Sequence, residues 1–511
     1  MKKTIFLTSI TLLSLFCYAQ SAYDALRYST NFYVGTARSA AMGNAVTALG
    51  GDFGSLSINP AGSAVFPYSE FVFTPALNSS ITKSDYLGNT SKESYGRLGI
   101  SNIGYIGSMR FSNYGGLTGI TFGIGYNAVN NFTDRFSASG DTGKSSWLAS
   151  LAYQINGVHA KSMDDTQNPF YTTSAPWKAI LAWNSSLLDT IPGCGGKQYV
   201  GATEAFFGND ITIPGNLKQN YSRKSVGNVG EYVINLGLNF SNRLFLGANL
   251  GIQSIYYETN EQYNESVVNK QEFWQTEFNH FTHTYRQTTT GVGVNFKLGL
   301  IYLPMKDLRF GASISTPTWM SLNEEWEESI DANFSDGYHQ YLQSPIGQFK
   351  YRINAPFRWN LGIAYTFGNL GAVSFDYEQV AYNKIFMSST DYNNPFVDEN
   401  AYMKREYQNC GNVRAGLEIN LNSDFSLRGG YAFYGNPEKS YGSHTQIVSM
   451  GIGMHAGSFF SDLTFLQRFP QKEYFALYDD VREGTQIIYQ APVGLQTTSN
   501  WKLLLSMGFR F

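Results

Sequence analysis

Apolar residues alternate with small or polar residues over long stretches of this sequence, and this period of two constrains the fold most. From Tyr232 to Phe240 the even positions are apolar, whereas the odd positions include Asn235, Gly237 and Asn239. Successive side chains of a β-strand point to opposite faces, so this run describes a strand with one apolar and one polar face. The pattern recurs in runs that start at Leu244, Val292, Trp359, Val413 and Trp501.

The whole chain offers an even number of such runs, as bacterial single-chain barrels require. The fourteen candidate strands are 68–82, 96–112, 116–130, 229–241, 243–259, 286–303, 307–323, 350–367, 371–388, 405–422, 424–434, 442–457, 459–472 and 497–511. Their connections alternate between long (83–95, 131–228) and short (113–115, 242), which matches the long outer loops and short periplasmic turns of these barrels. The sequence therefore predicts an all-β fold, a 14-stranded antiparallel transmembrane β-barrel at 68–511 with a long extracellular loop at 131–228. A soluble two-sheet protein, the alternative, would bury its apolar faces and would hardly keep such glycine-rich polar ones.

Composition agrees with a barrel and weighs against other classes of protein. Aromatic residues make up 16% and charged residues 15% of the 511 residues, and the net charge is −3. No apolar run after the first twenty residues is long enough for a spanning helix. Because no Lys/Arg-rich stripe is interleaved with aromatic residues, we expect no nucleic-acid partner. We expect a monomer in the outer-membrane lipid bilayer, with no cofactor.

The first nineteen residues read as a signal peptide. Lys2 and Lys3 precede a short apolar stretch, and Ala19 supplies the small residue before a cut ahead of Gln20. Lipidation of Cys17 is the alternative, and the bulky Phe16 before it fits that poorly. We therefore expect an exported protein of a Gram-negative outer membrane.

Residues 20–67 do not alternate and are rich in glycine, alanine and serine. Because fourteen strands enclose a lumen too wide for wall side chains alone to seal, we predict that this segment forms a plug inside the barrel. A periplasmic tail is the alternative. Charged residues at positions that should face inward could form ion pairs that brace wall and plug, or could take part in ligand passage. The candidates for this lumen charge network are Lys297, Arg309, Arg358, Asp376, Glu378, Arg414, Glu418 and Arg428; Asp462, Arg468 and Lys502 share the inward parity.

No residues of the sequence form a recognisable catalytic or metal motif, so we expect neither an enzyme nor a metal site. His280 and His283 lie in a predicted outer loop, where we expect ordinary solvent-exposed side chains rather than ligands of a metal or haem. The acidic run 324–328 could bind calcium, although a solvated loop face is favoured. Cys194 and Cys410 could form a disulfide or remain separate thiols.

Several short motifs together resemble the FadL family of outer-membrane transporters for long-chain fatty acids and aromatic hydrocarbons. The stretch from Arg38 to Gly62, with Ala41-Met42-Gly43 followed by Asn59-Pro60-Ala61-Gly62, is similar to the amino-terminal hatch of that family. Further matches are 101–105, 291–299, 308–313, Pro317 and 374–378, and Phe511 ends an aromatic strand like those that mark outer-membrane barrels for assembly. The resemblance covers nearly the whole mature chain except the loop 131–228.

The resemblance implies passive uptake of hydrophobic small molecules through a lumen pocket, the hatch and a lateral opening. On this basis Asn59, Pro60, Ala61 and Gly62 are candidates for the hatch and ligand passage. In that family a kink in the third strand opens the wall, so Gly119, Gly123 and Gly125 are candidates for the lateral opening; they could equally be small lumen-facing positions. The alternatives are a binding or assembly role in a secretion or surface-attachment complex, or haemin binding.

Overall fold

The computed structural model describes residues 22–111, 116–208, 210–389, 395–440, 442–483 and 486–511. The predicted signal peptide lies outside the described residues, and so does the start of the predicted plug at residues 20 and 21. Both stay predictions.

The described chain forms a closed antiparallel barrel of fourteen strands, which confirms the predicted fold class and strand number. The strands are β1 (Glu70–Tyr86), β2 (Asn89–Arg110), β3 (Leu117–Asn131, continued by Asp134–Thr142), β4 (Leu217–Phe240), β5 (Leu244–Val267), β6 (Phe278–Tyr302), β7 (Leu308–Ser315 and Trp319–Phe334), β8 (Gly347–Asn354 and Arg358–Thr366), β9 (Gly371–Ala381 and Phe386–Ser389), β10 (Asn409–Asn420), β11 (Phe425–Tyr434), β12 (Thr445–Ala456), β13 (Phe459–Ala476) and β14 (Val493–Arg510). Each strand pairs with its sequence neighbours, and β1 pairs with β14 from Glu70↔Arg510 onward, which closes the barrel.

Four strands are interrupted, and two of the interruptions contain proline. Pro317 separates the two parts of β7, and Pro356 separates those of β8. Proline has no backbone N–H to donate to a ladder, so strands break or bulge where it lies. The breaks in β3 and β9 contain no proline.

Several connections are shorter than predicted, because the strands continue beyond their alternating runs. Residues 83–95 are no loop, because β1 and β2 run on to a tight hairpin at Leu87 and Gly88, both with positive φ. The predicted loop 131–228 narrows to 143–216, since β3 continues to Thr142 and β4 begins at Leu217. Both extensions are polar on their two faces, so they lack the alternation by which a strand inside a bilayer is recognised.

Residues 143–216 form a small folded unit, here called the cap, over the end of the barrel with the longer loops. It contains helices Trp147–Gln154, Pro169–Thr172 and Trp177–Asn184, the 3-10 turns Ala160–Met163 and Asp165–Gln167, and the short hairpins Leu188–Thr190/Tyr199–Gly201 and Ala205–Phe207/Asp210–Thr212. Apolar side chains of the cap pack on Phe278 and Phe281 of β6 and Ile330 of β7. The cap is therefore joined to the barrel by a shared apolar core.

The remaining short elements lie in the other long connections, except for one turn in the break of β9. They are the 3-10 turns Lys270–Phe273 and Tyr382–Lys384, the helix Val397–Glu406, and the short strands His339–Gln343, Val481–Glu483 and Gln486–Tyr489.

The outer face of the barrel is apolar and exposed, whereas the inner face is polar and buried. Leu236, Phe296 and Leu298 on the outside are 49%, 51% and 57% exposed, while Asn235 and Asn295 on the inside are 1% exposed. This is the inverse of a soluble protein and is the arrangement of a barrel whose outer band contacts lipid. In the described part of the chain, no helix has the length and apolarity to cross a bilayer.

Candidate functional site

The segment before β1 fills the barrel lumen, which confirms the predicted plug. It consists of two helices, α1 (Ala22–Ser29) and α2 (Ala37–Ala41), and two 3-10 turns, Phe53–Ser57 and Pro60–Val65. Polar wall side chains on distant strands bind its backbone. Ser506 Oγ of β14 accepts from Ala37 N at 2.8 Å, Ser313 Oγ of β7 donates to Ile58 O at 2.7 Å, and Ser449 Oγ of β12 donates to Ala41 O at 2.9 Å.

Glycines of the wall make room for this plug in opposed pairs. Gly247 of β5 lies opposite Gly299 of β6, and a Cβ on Gly299 would stand 1.9 Å from Asn59 Oδ1. A Cβ on Gly247 would stand 2.3 Å from the carbonyl carbon of Pro60. The pairs Gly311/Gly362, Gly416/Gly430 and Gly104/Gly125 similarly adjoin Thr47, Met42 and Phe53. The glycine-rich inner face is therefore the seat of the plug.

The Asn59-Pro60-Ala61-Gly62 motif fixes the second 3-10 turn to the wall. Asn59 Oδ1 accepts from Ala61 N at 3.1 Å, which caps the turn, and Pro60 occupies the first helical position, where it suits the backbone. Asn59 Nδ2 donates to Thr47 O at 2.6 Å and to Leu300 O of β6 at 3.1 Å. Gly62 O accepts from Gly51 N at 2.9 Å. These contacts are structural, and a part of the motif in ligand passage stays a prediction.

The predicted lumen charges all face the plug, but they form separate groups. In the first group, Glu378 lies 3.6 Å from Arg358 and 3.5 Å from Arg414. Arg414 also donates to Asn360 Oδ1 at 2.7 Å, and Tyr33 of the plug donates to Glu378 at 3.4 Å. This group is almost wholly buried, and the single carboxylate of Glu378 is shared between the guanidinium groups of Arg358 and Arg414.

A second group joins the plug directly to the wall. Arg38 of α2 pairs with Glu418 at 2.9 Å, Glu418 pairs with Arg428 at 2.6 Å, and Arg428 pairs with Asp462 at 2.5 Å. Arg38 lies in a helix of the plug, where the alternation of a strand does not apply. The sequence pattern therefore could not identify it as a partner of Glu418.

The other predicted charges each have a different partner. Lys297 pairs with Glu231 at 2.6 Å, Arg309 donates to Leu49 O at 2.8 Å, and Asp376 accepts from Thr47 N at 2.8 Å. Glu231 is not among the predicted lumen charges, although its odd position, next to Tyr232, marks it as inward-facing. These contacts fit a structural role in which the charged side chains hold the wall and the plug together.

The barrel wall is open between β2 and β3 toward the loop end. Their ladder runs only from Asn102↔Asn127 to Arg110↔Gly119, and within the described residues 89–101 of β2 pair with β1 alone. On the other side, β3 is irregular between Ala128 and Asn130 in its pairing with β4. The upper parts of β2 and β3 therefore form no ladder with each other, although side chains such as Glu93 and Ser137 still meet there.

The glycines predicted for the lateral opening lie elsewhere on β3. Gly119, Gly123 and Gly125 are in the closed part of the ladder, and a Cβ on the latter two would meet plug residues Leu56 and Phe53. Their positions fit small lumen-facing residues, which the sequence offered as the alternative to a lateral opening. The register shift of β3 lies a few residues further on, between Ala128 and Asn130.

A cavity of about 520 Å³ occupies the opening. Leu98, Ile100 and Ile103 of β2 line its outer side, and Val34 of the plug and Lys502 of β14 line its inner side. Leu98 and Ile100 are 76% and 52% exposed, so the mouth of the cavity is apolar and reaches the lipid-facing surface. The arrangement links the lumen above the plug with the outside of the wall.

A second, smaller cavity of about 50 Å³ adjoins it and shares Val34, Asn78 and Lys502 among its lining residues. Arg468 of β13 also lines this cavity, with its guanidinium carbon 4.0 Å from the centre of the Phe32 ring. Within the described residues, neither Arg468 nor Lys502 has a carboxylate oxygen within 4.0 Å. Two cations thus line this inner cavity without an acidic partner at that distance.

The remaining candidate residues form no metal site. The described residues contain no group of three or more His, Cys, Asp and Glu side chains placed to hold a metal ion. His283 Nε2 lies 2.9 Å from Glu328, and both residues belong to strands of the wall. The run 324–328 lies within β7 and not in a loop, so its side chains alternate between faces. Cys194 and Cys410 are both free.

Comparison with known proteins shows a common fold. No family model matches the sequence, and none of the curated proteins is significantly similar to it. Among solved structures, the toluene transporter TodX of Pseudomonas putida is similar with a TM-score of 0.51 and 14% identity, covering 94% of this chain and 98% of that chain. A FadL homologue of Pseudomonas aeruginosa gives a TM-score of 0.52 at 12% identity and covers 94% of this chain and 100% of that chain. The chain therefore has the fold of these barrels, as the sequence resemblance implied.

Proposed function

We propose that this protein is an outer-membrane transporter that takes up hydrophobic small molecules passively. The observation that supports this proposal most directly is the cavity between the lumen above the plug and the opening between β2 and β3, with aliphatic side chains at its outer mouth. A lipophilic molecule that enters from the loop end would leave sideways through this opening into the bilayer. The plug, bound to the wall at several strands, blocks the straight route along the barrel axis.

Two further observations support the proposal. The structurally similar TodX is a toluene transporter, and this chain shares its fold. In addition, the exposed aliphatic side chains of Leu98, Ile100 and Ile103 at the mouth of the opening offer an apolar surface to a lipophilic ligand.

The unpaired cations narrow the class of ligand. Arg468 and Lys502 face the inner end of the passage, and a buried cation without an anion is unfavourable. A ligand with an acidic head and an apolar tail would place its carboxylate between them and its tail along Ile100 and Ile103. We infer that long-chain fatty acids or similar amphiphiles suit this passage better than neutral hydrocarbons.

The test is uptake by proteoliposomes. Vesicles that contain the protein should accumulate labelled palmitate faster than empty vesicles, without an energy source. Ala128→Trp, which places an indole in the lining of the opening, should slow uptake. Gly429→Trp is the matched control, because a Cβ on Gly429 meets no atom within 4 Å. Equal uptake rates for vesicles with and without the protein, across a panel of lipophilic compounds, would refute the proposal.

A further inference from the structure

A polar groove of about 410 Å³ lies on the outer surface of the barrel wall near the opening. It forms where the upper part of β2 overlaps the continuation of β3 and the start of β4. Its lining residues include Glu93, Arg135, Lys224, Asn260 and Arg286. None of them has a part in the proposed passage, because they lie outside the barrel.

The cations of this groove stand in one row across adjacent strands. Arg135 lies directly opposite Lys224, Lys224 opposite Asn260, and Asn260 opposite Arg286. Like charges directly opposite each other on neighbouring strands are destabilising. Such an arrangement is costly in the free protein and is relieved when an anion binds between the charges.

Neighbouring groups do not neutralise Arg135 and Lys224, the two cations at one end of the row. Arg135 and Lys224 both contact the ring of Tyr95, at 4.5 Å and 5.5 Å from its centre. Within the described residues neither cation has a carboxylate oxygen within 4.0 Å, whereas Arg286 at the other end of the row pairs with Glu327 at 3.2 Å. The carboxylate of Glu93, on the opposite side of the groove, accepts from Ser137 Oγ at 2.9 Å.

The row lies on the lipid-facing side and above the apolar band. Lys224 has the same parity as Tyr232 on β4, and Asn260 has the same parity as Tyr256 on β5. Asn260 is four residues beyond Tyr256, which at the rise of a tilted strand places the row about 10 Å above that ring. At this height a barrel meets the head groups of the surrounding lipids and not their chains.

We propose that Arg135 and Lys224, flanked by Asn260 and Arg286, bind the phosphorylated sugar head group of a glycolipid in the leaflet at the loop end. The two cations would contact a phosphate, and the amide of Asn260 would hydrogen-bond sugar hydroxyls. The lipid's chains would lie along the apolar band below, beside the opening between β2 and β3. The proposal does not depend on what the barrel transports.

The test uses delipidated full-length protein in detergent, with bisphosphorylated lipid A as the probe and native mass spectrometry as the readout. Wild type should retain lipid A, and Arg135→Gln/Lys224→Gln should bind it roughly 25-fold more weakly, about fivefold for each charge removed. Lys218→Gln, an exposed cation on the same face of β4, should bind as wild type does. Heat-modifiable gel mobility shows whether each variant has kept its folded barrel.

Two further probes separate the possible sources of the phosphate. Dephosphorylated lipid A should bind about as weakly to wild type as the double variant binds the intact lipid, and inorganic phosphate at millimolar concentration should not displace lipid A. Equal lipid A binding by wild type and a folded double variant would overturn the proposal. Equal binding of the dephosphorylated lipid, or ready displacement by inorganic phosphate, would overturn it as well.

Discussion

Gly247 lies directly opposite Gly299 on neighbouring strands, and the plug turn that begins at Asn59 occupies the space that a side chain at either position would need. Three other opposed glycine pairs receive plug segments in the same way. The plug is thus held by shape as well as by hydrogen bonds and ion pairs. Its position depends on wall residues far from it in sequence.

Gly299→Val should therefore displace the plug without opening the wall. Its Cβ alone would stand 1.9 Å from Asn59 Oδ1, and overpacking of this kind costs roughly 1–3 kcal/mol or more. We expect measurable ion conductance in planar bilayers, where wild type stays closed. Gly429→Val, at a lipid-facing position with no neighbour within 4 Å, serves as the control. A closed Gly299→Val barrel would show that the plug is not seated by this glycine.

The sequence predicted the barrel well because the bilayer imposes a strict alternation on every strand that crosses it. It failed beyond the bilayer, where both faces of a strand meet water: the hairpin at Leu87 and the continuation of β3 to Thr142 carry no alternating signal. The inward-facing charges followed from parity, but their partners did not. Arg38 lies on the plug, and its contact with Glu418 depends on tertiary packing alone.

Gly119, Gly123 and Gly125, the glycines predicted for a lateral opening, lie in the part of β3 that pairs with β2, and a role for them in an opening stays a prediction. Glycine is often associated with flexibility. At positions 123 and 125, however, the lack of a side chain leaves room for Leu56 and Phe53 of the plug. The irregularity between Ala128 and Asn130 has no glycine in it. It arises where β3 changes from pairing with two strands to pairing with β4 alone, and such a change in partners leaves no local signal in the sequence.

Arg414→Met should destabilise the barrel by about 3 kcal/mol or more, because loss of one partner leaves a buried charge poorly compensated. Glu378 would keep only Arg358, at 3.6 Å, and Asn360 would lose its 2.7 Å hydrogen bond. The measurement is the free energy of unfolding from urea titration in detergent micelles. Arg405→Met, which removes an exposed cation, is the control and should leave the free energy of unfolding nearly unchanged. An Arg414→Met variant as stable as wild type would contradict this account.

Lys502→Met should weaken transport of fatty acids selectively. If a carboxylate binds between Lys502 and Arg468, removal of one charged hydrogen bond should raise the KM for palmitate about tenfold. Toluene has no acidic group, so its uptake should hardly change. Lys83→Met, which removes an exposed cation paired with Asp85, is the control. Equal effects on palmitate and toluene would mean that the cations brace the wall and do not select the ligand.

The cap should become less stable as the pH rises through the range between 4.5 and 7. Glu204, in the turn after the strand Tyr199–Gly201, is only 7% exposed, and this burial raises the pKa of its carboxyl group from 4.5 to about 7. Its carboxylate accepts one hydrogen bond, from Gly201 N at 2.8 Å. Because the closed cap holds the proton more tightly than an opened one, its stability is full below pH 4.5 and falls until about pH 7. The change amounts to at most about 3 kcal/mol.

Glu204→Gln isolates this effect, because a neutral amide keeps the shape of the protonated acid and does not titrate. Hydrogen exchange of residues 199–204, corrected for the intrinsic effect of pH, should show more frequent opening at pH 8 than at pH 5 in wild type and equal opening in the variant. Asp189→Asn changes an exposed acid of the same cap and should keep the wild-type dependence. Since Gly201 packs against Leu148 of the helix Trp147–Gln154, opening of this turn should extend to that helix. A pH dependence that persists in Glu204→Gln would assign the effect to another group.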